Sequence, residues 1–369
     1  MNGNAVASPS LFIGGEIVLI GLMFHFLPQI TRRDLFFAVT IDPAFRNSSD
    51  ARRVVRQFRM AVWIHSLIAI AMLVVGVVSD VLPLVIFAIV WQIAGEFIAF
   101  LRARARVLPH AVSAIPNREA VLVARSAGAA YWLLQLGPFA ILAARAAYLR
   151  ANWEHIPERF AVHWGLDGRP NGWSARSFAG VYGPLLIAGG LCVFLALSSY
   201  AIVHWTRNIR SSGDAAVREG RFRSVQLGVI TAVSYFIALV FSGLASPLRS
   251  NAPEEPHLTL LLAGTFVFVL AIFVVMFSVG QGGGNLARDQ GGSAPVSVGP
   301  VIGDRTPDRC WKAGMFYFNP NDPALLVEKR FGIGYTINFG HRGAWLIAAA
   351  VLAIIIAPLL IARFSVHPR

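Results

Sequence analysis

The stretch RMAVWIHSLIAIAMLVVGVVSDVLPLVIFAIVWQIAGEFIAFL, residues 59–101, decides the fold class. It holds two apolar runs, about 59–79 and 82–101, separated only by Ser79-Asp80. Each run is roughly the 20 residues a helix needs to cross a hydrocarbon core, because every backbone N–H and C=O must be paired internally there. A two-residue polar break leaves no room for a domain, so the runs are expected to form a tight antiparallel helix pair. Similar runs recur at about 11–28, 129–148, 180–203, 225–245, 258–279 and 343–362, eight in all. The expected fold class is an all-α polytopic membrane protein of about eight transmembrane helices, with a small extracytoplasmic hairpin and a small cytoplasmic β segment.

Composition agrees. Hydrophobic residues make up 56% of the 369-residue chain and charged residues 14%, against about 25% charged in soluble domains. Mean hydropathy is +0.61, which excludes an ordinary soluble globular class. The net charge of +13 does not point to nucleic acid, because its distribution is one-sided. Three quarters of the Lys and Arg residues fall in the loops after spans 1, 3, 5 and 7. Such asymmetry marks cytoplasmic loops, and it assigns both termini to the outside of a bacterial inner membrane, with the basic loops meeting anionic lipid. The start, MNGNAVASPS, lacks a basic n-region, so the first span is expected to stay as a helix. Cys192 and Cys310 make no disulfide framework.

The chain divides on this reading into a first membrane region (1–148), an outer loop (149–179), a second membrane region (180–280), a Gly-rich linker (281–309), a cytoplasmic β segment (310–342) and a last helix with its tail (343–369). In the first cytoplasmic loop, Asn47 to Asp50 offer helix N-caps. The stripe Val54, Val55 and Phe58 among arginines predicts an interfacial helix leading into span 2. Within Cys310–Trp345, the runs Met315–Phe318, Leu325–Glu328 and Tyr335–Phe339 read as strands of a β-meander against the membrane, with Asn319-Pro320-Asn321-Asp322-Pro323 as a turn. The Gly280–Gly284 cluster lacks the Lys-Ser/Thr of a phosphate-cradling loop.

The outer loop, WEHIPERFAVHWGLDGRPNGWSARS from Trp153 to Ser177, is dense in Trp, His, Gly and Pro. Its spacing predicts a hairpin with Phe160–Trp164 as one arm and Asp167-Gly168 as the turn, and the Trp side chains at headgroup level. His163, Trp164, Asp167 and Trp173 are its candidate outside contacts. His155, His163 and Asp167 do not have spacing that makes them converge as zinc ligands, so neither metal nor cofactor is expected. Glu154 and Glu158 read as a solvated face.

Two segments carry a family resemblance. Ile156, Pro157, His163, Trp164, Asp167, Gly168, Pro170, Gly172 and Trp173 follow the pattern Ile-Pro, His-Trp, Gly-x-x-Gly-x-Pro-x-Gly-Trp, which resembles the bacterial membrane family catalogued as domain of unknown function 1648. Trp311 to Gly340 resembles the companion domain numbered 5808, with Trp311, Tyr317, Asn319, Asp322, Tyr335 and Asn338 among its matching positions. Leu35–Asn47 is similar to the first loop of the same proteins. The resemblance implies an SdpI-like group, whose best-understood members give immunity to a secreted peptide toxin and act in membrane signalling.

Ionisable side chains inside spans cost several kcal/mol unless paired or wet. At about 1.5 Å per residue, His25, His65, Glu96 and Gln135 share one layer in the inner third of the ~30 Å core. They form a candidate polar cluster, as a proton relay, a ligand pocket or a packing device. Glu16 and Arg145 share an outer layer as a candidate ion pair. No His-Glu-x-x-His helix or Gly-x-Ser-x-Gly elbow is present, so no enzyme is expected. The expected role is sensing of, or immunity to, an extracellular peptide or envelope ligand, with a cytoplasmic regulatory protein as partner. Proton-coupled transport through the inner layer is the alternative.

Overall fold

The computed structural model describes residues 3–113, 127–164, 170–206, 214–244, 255–281, 283 and 306–365. Seven of its helices are long and apolar enough to cross a membrane. In chain order they begin with α1 (Gly3–Ile30), α2 (Ser49–Val78) and α3 (Leu82–Val107). A short helix α4 (Ala129–Leu134) and α5 (Gly137–Ala151) together make the fourth span. Then come α6 (Phe178–Trp205), α7 (Asp214–Leu244) and α8 (Glu255–Val279). The expected eighth span falls in α9 (Arg342–Ser365). Among the described residues its apolar part is Arg342–Ala353, shorter than a span.

The first three helices form one bundle. Ala69, Leu73, Val85 and Ala88 bury the α2–α3 seam against Ile17 of α1. Gly76 makes the hairpin tight, since a Cβ there would meet Val85 at 2.9 Å. Ser48 caps α2 by accepting the Ala51 N–H at 3.1 Å, as the cap residues lead one to expect. The interfacial helix does not exist as a separate element. Residues 49–78 are one continuous helix, and Val54 and Phe58 are buried against the first loop rather than laid on lipid.

The fourth span breaks at Gln135–Leu136 because Pro138 has no N–H to give the Leu134 carbonyl. The Tyr235 hydroxyl of α7 donates to that carbonyl instead, at 3.0 Å. From α5 the chain enters a hairpin of β1 (Arg159–Trp164) and β2 (Pro170–Ala175), antiparallel with Ala161 opposite Trp173 and irregular register beyond it. The expected turn, Asp167-Gly168, lies outside the described residues. Ile156 and Phe160 plug the hairpin base into a core with Leu142, Leu149, Val181 and Leu185.

At the other end of α6, four short strands build a cap: β3 (Trp311–Lys312), β4 (Phe316–Tyr317), β5 (Leu326–Glu328) and β6 (Tyr335–Ile337). They pair as two separate antiparallel ladders, β3–β4 and β5–β6, and not as one meander. The prolines of Asn319–Pro323 donate no ladder hydrogen bond, and the two ladders are joined by a Tyr317–Asn338 bridge and by a shared core of Trp311, Tyr317, Ala324 and Val327. A small ladder in the first loop, Leu35–Phe36 with Val39–Thr40, docks on this cap.

Arg330 makes that junction. Its side chain is fully buried and ion-paired to Asp308. It also donates to Thr40 Oγ1 at 3.2 Å, Thr306 Oγ1 at 3.1 Å and the Ala38 carbonyl at 3.3 Å. Asp308 in turn accepts from the Thr40 hydroxyl at 2.8 Å. Arg330→Met leaves Asp308 unpaired, a loss of about 3–5 kcal/mol for a broken buried pair. Arg330→Lys gives little rescue, because one ammonium cannot span these acceptors. Limited proteolysis reads the outcome as cleavage within 306–341 in both variants, with the helical bundle intact.

Candidate functional site

One cluster of buried polar residues lies between α1, α2 and α3. Gln92 and Glu96 stand one helical turn apart on α3 and face Ser66 of α2. All three are fully buried. Ser66 Oγ donates to Glu96 Oε1 at 3.2 Å, and the Gln92 amide hydrogen-bonds to the same oxygen. The amide also reaches Ser66 Oγ at 3.0 Å and the Ile17 carbonyl of α1 at 3.4 Å. Glu96 Oε2, Gln92 Oε1 and His65 Nδ1 are buried without a hydrogen-bond partner. The cluster thus holds a carboxyl group that is in no ion pair among the described residues. A charge there survives only with a compensating proton or cation.

Two glycines create the room. A Cβ on Gly21 of α1 would fall 2.7 Å from Ser66 Oγ, and one on Gly95 of α3 would fall 2.4 Å from His65 Nδ1. His65 therefore lies flat against the α3 backbone beside Glu96, with its ring 5.6 Å from that of Trp91. His25 takes a different partner: its Nδ1 accepts from Trp63 Nε1 at 3.1 Å. Gln135 is in the other helical group, donating to Thr231 Oγ1 and Tyr131 OH, each at 2.7 Å. No hydrogen bond among the described residues joins His25 or Gln135 to Glu96. Ser66 and Gln92 complete the cluster that sequence reading began. The spacing Gln92–Glu96, two polar residues one turn apart in an apolar run, is the signal that locates it.

The second expected pair is placed differently. Glu16 lies on an exposed face of α1, and it is not in an ion pair among the described residues. The Arg145 guanidinium stacks over the Tyr148 ring at 5.0 Å.

The hairpin is anchored from below. Arg176 donates to the Ile156 carbonyl at 3.2 Å and the Glu154 carbonyl at 3.3 Å, and approaches the Glu154 carboxylate at 3.8 Å. The Trp153 ring stacks on Tyr182 of α6, 6.1 Å between centroids. Trp173 is half exposed, with Arg159 over its ring at 5.3 Å. His163 and Trp164 stand in β1, His163 opposite Gly172. Asp167 is outside the described residues.

In the cap, the candidate residues turn inward. Tyr317 OH donates to Asp322 Oδ2 at 2.8 Å and accepts from Asn319 Nδ2 at 3.1 Å. Asn338 Nδ2 donates to the carbonyls of Asn319, Asp322 and Ala324 at 2.9, 3.0 and 3.1 Å. Trp311 Nε1 donates to Thr306 Oγ1 at 2.8 Å. These residues hold the Asn-Pro-Asn-Asp-Pro turn in shape. Tyr335 meets Phe222 of α7, 6.0 Å between rings. Arg330, Asp308 and Gln281 belong to the same construction and carried no signal in the sequence, since each partner lies far away along the chain.

Residues 140–188, from α5 through the hairpin into α6, match the model of the Domain of unknown function (DUF1648). Residues 320–345, from the cap turn to the start of α9, match the Family of unknown function (DUF5808). These are the two domains that the motifs resemble. None of the curated proteins and none of the solved structures matches the chain.

The close glycine contact makes a specific prediction. Gly95→Ala drives a methyl into the His65 ring and costs about 1–3 kcal/mol, the usual range for overpacking. Pairing it with His65→Ala recovers most of that loss. Thermal unfolding in detergent compares the single and double variants; equal losses in both contradict the contact.

Proposed function

We propose that this protein is a non-enzymatic membrane transducer that senses, or confers immunity to, an extracytoplasmic peptide or envelope ligand. The observation that carries the reading is the path of α6. At its start, Ser177 caps the helix by accepting the Gly180 N–H at 3.1 Å, and the adjoining hairpin rests on Tyr182 and Val181. At its end, Thr206 bridges to Leu326 in the cap. One 28-residue helix, about 42 Å long, thus leads from the hairpin to the cap. The one-sided distribution of Lys and Arg supports placing the hairpin outside a bacterial inner membrane and the cap in the cytoplasm. The half-exposed Trp173 with Arg159 offers an amphipathic contact for a ligand, and a cytoplasmic regulatory protein is the partner expected at the cap.

A second reading, a proton-coupled carrier, draws on the Glu96 cluster, where a carboxyl group is buried with no ion pair among the described residues. The tight fit at Gly21 and Gly95 and the separate partners of His25 and Gln135 count against it.

Hydrogen exchange in lipid nanodiscs tests the transducer. Arg176→Ala, which loosens the hairpin base, should speed amide exchange in Leu326–Ile337 of the cap as well as in 153–177. Faster exchange confined to 153–177 refutes the coupling. In reconstituted vesicles with an entrapped pH dye, Glu96→Gln should leave proton leak unchanged; a proton flux that this change abolishes favours the carrier.

A further inference from the structure

Beside the first loop, where α1 ends and α2 begins, lies a pocket of about 410 Å³ lined by Arg46, Arg52, Arg56 and Arg59 over Phe36 and Pro28. Its size is within the roughly 300–1,000 Å³ range of small-molecule sites. Arg52, Arg56 and Arg59 recur at helical spacing, so one face of α2 presents three guanidinium groups. Like charges at this spacing repel. No carboxylate lines the pocket, and among the described residues none of the four arginines is in an ion pair. Asp34 is paired with Arg32 at 2.7 Å and its charge also acts on Arg46.

The four differ in their commitments. Arg46 is held by the loop itself, donating to Pro28 O at 2.9 Å, Thr31 Oγ1 at 2.8 Å and Arg32 O at 2.6 Å. Burial pushes its guanidinium down to about 10, which leaves it cationic at neutral pH. Among the described residues, Arg59 gives its Nε to the His25 carbonyl at 3.2 Å, and Arg52 gives one N–H to Asn47 O. Arg56 is exposed and makes no hydrogen bond among the described residues. Most donors of Arg52, Arg56 and Arg59, all three lining the pocket, are therefore not committed to protein acceptors among the described residues. The apolar part of α2 starts directly after Arg59 and Met60, so the pocket sits at the boundary between hydrocarbon and water.

We propose that this pocket is a phosphate-binding site, taking the phosphate group of an anionic ligand by bidentate hydrogen bonds from Arg52, Arg56 and Arg59. Guanidinium forks match phosphate oxygens in pairs, and a basic pocket at the edge of a span is the place where a lipid phosphate lies. Phe36 and Pro28 supply an apolar floor for the group that carries the phosphate. The phosphate has two sources, an anionic phospholipid in the membrane or a small soluble phosphate, and the chemistry of recognition is the same.

The full-length protein in nanodiscs of phosphatidylcholine, with and without phosphatidylglycerol, separates these outcomes. Phosphatidylglycerol should raise the unfolding temperature of the wild type. In Arg52→Gln/Arg56→Gln its apparent affinity should fall about ten-fold or more, while Arg53→Gln, which removes an adjacent charge outside the pocket, keeps it. Inorganic phosphate added to the phosphatidylcholine discs forms the other arm. A shift with lipid alone assigns the lipid headgroup; an equal shift with inorganic phosphate assigns the soluble source, and both support the site. No shift with either, or equal loss in Arg53→Gln, overturns it.

Discussion

The buried guanidinium of Arg330 is the constraint around which the cytoplasmic-side construction, as proposed, is organised. A charge without water must be met by acceptors from all sides. Here they come from segments far apart in the chain: Thr40 and Ala38 in the first loop, Thr306 and Asp308 before the cap. The first loop adapts its backbone to the task. Phe37 and Ala38 adopt φ of 47° and 60°, a region that costs non-glycine residues about 1–3 kcal/mol each. Their carbonyls accept from a second buried arginine, Arg104 of α3. Gln281 at the end of α8 adds a further tie, accepting from the Arg32 N–H at 3.1 Å and donating to the Lys329 carbonyl. Loop, cap and the ends of α3 and α8 therefore form one unit.

Within the helices the governing interaction is of another kind. Lipid offers no hydrophobic drive for helices to associate, so close backbone approach and interhelical hydrogen bonds do the work. Gly21, Gly76 and Gly95 allow the approach. Ser66, Gln92 and Glu96 supply the bonds. The same group that fixes the α1–α3 bundle is thus the one with ionisable chemistry.

Much of this was legible in the residues. Spans follow from the length of apolar runs, and the tight α2–α3 turn follows from the two residues between them. The cap at Ser48 and the hairpin arms follow from local turn and capping chemistry. The polar layer is an expectation of depth alone. Rise per residue puts His25, His65, Glu96 and Gln135 at one level, but which way each side chain points depends on helix packing, and packing gave His25 to Trp63 and Gln135 to Thr231. The cap's two ladders were obscured because Asn338 pairs with a turn nineteen residues earlier. Arg330 reads as an ordinary charge in Glu-Lys-Arg-Phe-Gly; only tertiary structure buries it.

On the proposed function, the hairpin and the cap lie on opposite sides of a membrane, joined by α6. Glu158 in the hairpin base and Arg309 in the cap are both exposed. With Cys192 and Cys310 replaced, single cysteines at these two positions can be labelled with a membrane-impermeant maleimide in intact cells. Opposite placement gives labelling of Glu158→Cys in intact cells and of Arg309→Cys only after permeabilisation. Labelling of both without permeabilisation, or of Arg309→Cys alone, contradicts it.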